Sequence, residues 1–260
     1  MPELSQSMVE PYRYVWLVWA SAFLAVWALL YALFPRQRRA MGWASLYTTP
    51  FGLAEPLFVP AYWNPPSLFD LAQRTGFVLE SLIFCFAIGG VGSVLYNIVT
   101  GARLEAVSAA QRHHHRHRWH RAALLTPFVV LPALLPLRWN PIYPAMLALG
   151  TGALATVTCR PDLTLKTLAG AVLFFGYYFV FMLALDAFAP GYIGQVWNLP
   201  ALSGLRVLEV PVEELGFGLA FGAYWAGVYE HVCWQRVAAP PARDDGRPGG
   251  PACTARTAQS

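Results

Sequence analysis

Apolar runs of near-bilayer length follow one another along almost the whole chain: Tyr14 to Phe34, Gly76 to Val99, Ala122 to Leu137, Ile142 to Cys159, Thr167 to Phe188 and Pro211 to Trp234. A bilayer core needs about 20 apolar residues of helix and offers no water to free backbone groups, so such runs must become helices packed on one another. A seventh run, Ala40 to Pro60, is interrupted by Pro50, Gly52, Glu55 and Pro56. Charge decides its fate. Arg36, Arg38 and Arg39 and the basic block Arg103 to Arg121 belong on the cytoplasmic side, which requires an even number of crossings between them. Gly76 to Val99 is one crossing, so the interrupted run is expected to be the other.

The expected fold is therefore an all-α membrane protein of about seven transmembrane helices. Its N-terminus lies outside and its C-terminus in the cytoplasm, at the inner cell membrane. In that orientation fourteen of the eighteen Lys and Arg residues face inward. Composition agrees: 57% apolar and 12% charged residues are outside the range of a soluble domain. Membrane lipid is thus an expected partner and nucleic acid is not, because the positive charge is scattered between spans. The first run is too long, and lacks the basic flank, for a cleavable signal peptide. Cys85 and Cys233 fall inside spans, Cys159 at a span end and Cys253 in the tail, so no disulfide framework is expected.

The chain also repeats itself. Trp63-Asn64-Pro65-Pro66-Ser67-Leu68 matches Trp197-Asn198-Leu199-Pro200-Ala201-Leu202. After a one-residue slip, Glu80, Phe84, Gly89 and Tyr96 fall on Glu213, Phe217, Gly222 and Tyr229. Two parallel three-helix repeats joined by an extra helix account for this. The boundaries are an extracytoplasmic segment 1–13, a first repeat 14–100, a basic loop and linking helix 101–137, a second repeat 138–236 and a disordered Pro/Gly-rich tail 237–260.

Carboxylates in the outer half of such a bundle are costly, about 2.5–3.5 kcal/mol each at helix centre, and need a reason. They are Glu55, Glu80, Asp186, Glu213 and Glu214. The bland reading puts Glu213 and Glu214 in a helix first turn opened by Pro211, where the dipole favours anions. Glu80 is placed deeper, about five residues past a Thr75 cap. Glu55 beside Pro56 can serve backbone groups freed by a kink, and Asp186 fits an interfacial position. The functional reading makes the acids proton carriers in a dry site, with Phe77, Phe84, Phe86, Phe217, Phe221, Tyr224 and Trp225 offering ring faces to a cation. In the run Arg112 to His120, His113 and His117 are one turn apart, but interleaved arginines oppose a divalent ion, so a basic membrane anchor is expected. No metal and no cofactor is expected; Gly89-Gly90-Val91-Gly92 sits mid-span, without the strand a dinucleotide fingerprint needs.

Two copies of a Trp/Pro loop, the second followed by Pro211-Val212-Glu213-Glu214-Leu215-Gly216-Phe217, resemble the small integral-membrane lycopene cyclases, built from two homologous three-helix units. The resemblance spans most of residues 10–235. In the first unit, Gly76 to Phe84 keeps one Glu and the Phe but lacks the Pro and the second Glu. What the resemblance implies is a redox-neutral closure of linear carotenoid end groups to six-membered rings. An acid protonates the terminal alkene, the next alkene attacks the cation, and a base removes a ring proton. It implies Glu80 and Glu213 as the acid/base pair with Glu214 in support, and substrate contacts from Glu55, Phe84, Phe217, Trp63 and Trp197. The partner implied is a linear carotenoid or other isoprenoid, with other carotenoid enzymes or a second copy of the chain as associates.

Four alternatives read the same chain differently. A carotenoid hydratase would let water trap the cation, and a non-catalytic subunit would bind carotenoid or lipid. An intramembrane protease of the Glu-Glu-x-x-x-Arg type would need Arg where Gly218 stands. A retinal protein would need a lysine in its last span, and Lys166 is the single lysine.

Overall fold

The computed structural model describes residues 12–238. The expected N-terminal segment, apart from its last two residues, and all but the start of the expected disordered tail lie outside the described residues. The chain is mostly helical. Among the described residues, five helices are long and apolar enough to cross a membrane: those within Val15–Leu33, Leu79–Thr100, His117–Leu137, Ile142–Cys159 and Pro161–Phe188.

Helix α1 (Val15–Leu33) leads through the Pro35–Gln37 turn into α2 (Arg38–Thr48). Pro50 and Pro56 then remove backbone donors, and the chain tightens into a 3₁₀ helix, Thr49–Leu57. Laid end to end, the two segments would span roughly 34 Å, enough for a hydrocarbon core of about 30 Å. A short α3 (Leu71–Thr75) ends at Gly76, which is left-handed at φ +77°, and α4 (Leu79–Thr100) starts afresh after extended Val78. This corrects the expected position of Glu80. It lies at the second residue of α4, not deep in a helix begun at Thr75.

Strand β1 (Leu104–Ala106) and α5 (Ala109–Arg112) follow, then α6 (His120–Leu134), α7 (Ile142–Cys159), α8 (Thr164–Phe188) and α9 (Tyr192–Val196). A two-residue hairpin pairs β2 (Arg206–Val207) with β3 (Val210–Pro211) and aims α10 (Val212–Cys233). Pro211 is extended, with ψ 140°, and stands just before the helix instead of in its first position. Strand β4 (Gln235–Val237) returns to pair antiparallel with β1.

Helices α4 and α10 form the centre. Helix α4 is wrapped by α1, α2 and the 3₁₀ segment; α10 is wrapped by α7 and α8. Small residues permit the approach, as expected where lipid supplies no hydrophobic drive between helices. Gly170 and Gly222 bring α8 against α10, and Gly89 and Gly90 seat α4 on Thr48 and Ser45. Thus the glycine run is a packing surface.

Loops gather at two ends. At one, the Tyr62–Asn64 segment meets Val196–Asn198, and Asn140 donates to the Ala61 carbonyl at 3.0 Å. At the other, Gln37 reaches the Ala102 carbonyl, Arg103 pairs with Ala238, and α7 ends beside the histidine run. Two charges at that second end are internal. Arg160 is buried, binding Asp162 and the carbonyls of Glu230 and Gln235. Lys166 is buried against Glu230, with Asn97 Oδ1 at 2.9 Å. Buried charge is tolerated here because each ion is matched and hydrogen-bonded.

Candidate active site

The first apolar layer of the site is a cavity of about 310 Å³ between the two central helices, the 3₁₀ segment and α6. Its walls are aromatic: Trp16, Phe84, Tyr178, Phe217, Phe221 and Trp225 are among them. Phe51 and Phe128, both exposed and stacked at 5.8 Å, also line it, so its mouth opens sideways between the 3₁₀ segment and α6. Two carboxyl groups reach the cavity wall, Glu55 and Glu214.

Glu214 sits at the third residue of α10 and is buried. Three donors converge on it. Trp197 Nε1 donates to Oε1 at 2.7 Å, the Tyr62 hydroxyl donates to the same oxygen, and the Tyr178 hydroxyl donates to Oε2 at 2.5 Å. Burial, with the Glu214 charge beside it, pushes the Tyr62 phenol far above its ordinary range, so it stays a donor. Glu55 comes from the other half of the chain, in the 3₁₀ segment that its neighbouring prolines impose. It accepts the Trp63 indole N–H at 3.0 Å. Trp63 and Trp197 are themselves joined: Asn64 N donates to the Val196 carbonyl and Asn198 N to the Tyr62 carbonyl, each at 2.8 Å.

The other two acids are placed differently. Glu80 and Glu213 are buried but are not among the residues lining the cavity. Each is the second residue of its helix, and each accepts a backbone N–H from the loop before it, Leu68 N at 2.9 Å for Glu80 and Ser203 N at 2.8 Å for Glu213. Tyr143 also donates to Glu213 at 2.8 Å. Glu80 and Glu213, expected as the acid/base pair, are thus not brought together on the wall of this cavity. Both carboxylates turn back to tie down the Trp/Pro loops, because a first-turn side chain lies next to the chain that enters the helix.

All five residues expected to contact substrate, Glu55, Phe84, Phe217, Trp63 and Trp197, line the cavity. Tyr178 was missed, since a tyrosine among the aromatics of an apolar span gives no local sign of what its hydroxyl meets. Tyr62 likewise carries no sequence sign of its partner, which lies 152 positions away.

A family model described as Lycopene cyclase matches residues 140–232. That stretch holds α7, α8 and α10 with Glu213 and Glu214, and it excludes Glu55 and Glu80. No curated protein and no solved structure matches the chain.

Proposed function

We propose that this protein closes rings on the end groups of a linear carotenoid such as lycopene, without redox change, using Glu214 and Glu55. The observation that carries the reading is that two carboxyl groups from different halves of the chain face one aromatic, nearly apolar cavity. The family match over residues 140–232 supports carotenoid cyclisation as the reaction class.

Glu55 receives one indole donor and is the group suited to deliver a proton to the terminal alkene. The tertiary cation that results is held against the faces of Phe84, Phe217, Phe221 and Trp225, each worth about 0.5–2 kcal/mol. Attack by the next alkene forms the ring bond and moves the positive charge into the ring. Glu214, whose charge is met by three donors, stabilises that cation and takes the ring proton. One proton enters and one leaves, so the product is an isomer of the substrate. A hydratase would need water at the cation, which walls of this kind exclude. The cavity volume suits an end group, with the remaining polyene extending through the lateral mouth into lipid.

The architecture belongs to the same proposal. The chain changes ends seven times if α2 and the 3₁₀ segment count as one crossing and α10 as the last. The second-position glutamates, their matched loop contacts and the reciprocal Trp63/Trp197 bridge are read as two repeats facing each other. We place the Trp loops outside and the histidine run in the cytoplasm.

The test is pigment analysis in lycopene-accumulating cells at matched protein abundance. Wild type should form cyclic carotenoid. Glu55→Gln and Glu214→Gln should each reduce it about 10²- to 10⁴-fold, the usual worth of a proton-transfer group, while Glu80→Gln and Glu213→Gln keep most activity per folded chain. Unaltered lycopene with correctly inserted wild type would overturn the function. Activity lost only in the Glu80 and Glu213 variants would overturn the assignment of residues.

A further inference from the structure

At the opposite end from the cavity, three metal-ligating side chains from separate parts of the chain meet. His117 lies in a 3₁₀ turn (His115–Trp119), His120 opens α6 and Cys159 closes α7. Their ligand atoms all lie within 4.8 Å of one another. Cys159 Sγ is 3.5 Å from His117 Nδ1 and 3.5 Å from His120 Nδ1. For a tetrahedral zinc with Zn–S near 2.3 Å and Zn–N near 2.0–2.1 Å, the expected S···N separation is about 3.5 Å. The spacing is that of ligands sharing one ion.

We infer that His117, His120 and Cys159 form a zinc site that fastens the histidine run to the end of α7. The sequence alone sets interleaved arginines against a divalent ion and offers no acid in the run to complete a ligand set. The fold answers both parts. The third ligand is a thiol 39 residues from His120, which gives up its proton on binding and supplies the negative charge. Arg118, between the two histidines, lies over the Trp119 ring at 5.4 Å, and Arg160, next to Cys159, is held by both Asp162 oxygens at 2.8 and 2.6 Å. One sulfur and two imidazoles select a borderline-soft ion over magnesium or calcium. Three protein ligands leave a fourth position for solvent. His231 is fully buried with its ring 4.5 Å from His120, and its Nε2 has no partner among the described residues, so one more imidazole stands beside the group. Trp234 stacks on His120 at 4.1 Å and closes the other side.

The pairing that helical spacing alone would permit, His113 with His117, is not the one in this group. Helix α5 stops at Arg112, and His113 turns to the Ala109 carbonyl instead. An ion at the observed group would fix the inner end of α6, the helix that contributes Pro127, Phe128, Leu131 and Pro132 to the cavity wall.

The experiment uses the full chain, purified in mild detergent with a tag free of histidine, loaded with Zn²⁺ and desalted before elemental analysis. Wild type should retain about one zinc per chain. The double variant His113→Ala/His115→Ala should retain as much, while Cys159→Ser and His120→Ala lose it. Co²⁺ loading of wild type should give a thiolate-to-cobalt absorption band in the near ultraviolet. That spectrum decides the matter even if Cys159→Ser fails to fold. No retained zinc, equal retention in Cys159→Ser, or cobalt binding without the thiolate band would each overturn the site.

Discussion

Trp63 and Trp197 lie with ring centroids 5.5 Å apart and ring planes at 47°, and each sends its indole N–H to a carboxylate that lines the cavity. The pair thus couples the positions of Glu55 and Glu214. Replacing Trp197 by Phe keeps a ring of similar shape and removes one of three donors to Glu214. A hydrogen bond to a charged group contributes about 1.5–3 kcal/mol, so cyclic product per folded chain should fall about 10- to 160-fold. Initial rates of product formation in isolated membranes would show this, and an unchanged rate would mean that Glu214 does not carry developing charge.

Phe217 stands beside Phe221, with centroids 5.7 Å apart, in the cavity wall. Phe217→Leu keeps the apolar surface and removes the ring face. Loss of about 0.5–2 kcal/mol of cation stabilisation predicts a rate lower by about 2- to 30-fold with little change in the amount of folded protein. If Phe217→Leu is as fast as wild type, cation stabilisation lies with other rings.

Lys166 and Glu230 test a different part of the molecule. Lys166→Met leaves Glu230 buried without its counter-ion, which costs about 3–5 kcal/mol, and should lower the thermal midpoint in detergent clearly. Adding Glu230→Leu removes the orphaned charge and should restore most of the loss. A double variant no better than the single one would show that the Asn97 and Ser93 contacts of this cluster, and not the ion pair, hold this end of the bundle.

Gly222 tests the packing of the central helices. A Cβ there would lie 2.6 Å from Phe174 Cβ and 2.8 Å from the Gly170 carbonyl. Gly222→Val should therefore destabilise by about 1–3 kcal/mol or more, whereas Gly150→Val, where a Cβ meets nothing within 4 Å, should be mild. Unfolding midpoints of the two variants, measured side by side, would separate close packing from a general intolerance of β-branched residues.

The sequence by itself determined the helices and the polar outliers within them. Span length follows from the bilayer and is written in the apolar runs, so Ile142–Cys159 was legible to the residue. Glu55, Glu80, Glu213 and Glu214 stand out because charge in such runs is costly. Where the side chains point was decided by tertiary structure. Gly76 breaks the helix and moves Glu80 to the second position of a new one, where it binds a loop N–H. Glu55 reached the cavity because two prolines wound its segment into a 3₁₀ helix, and Glu214 gathered donors from residues 17, 36 and 152 positions away. Likewise, only the packing of α7 brings Cys159 to within 3.5 Å of His117 and His120, in a run whose sequence suggests a membrane anchor. Periodicity records which residues leave water; partners distant in the chain are fixed only when the helices pack.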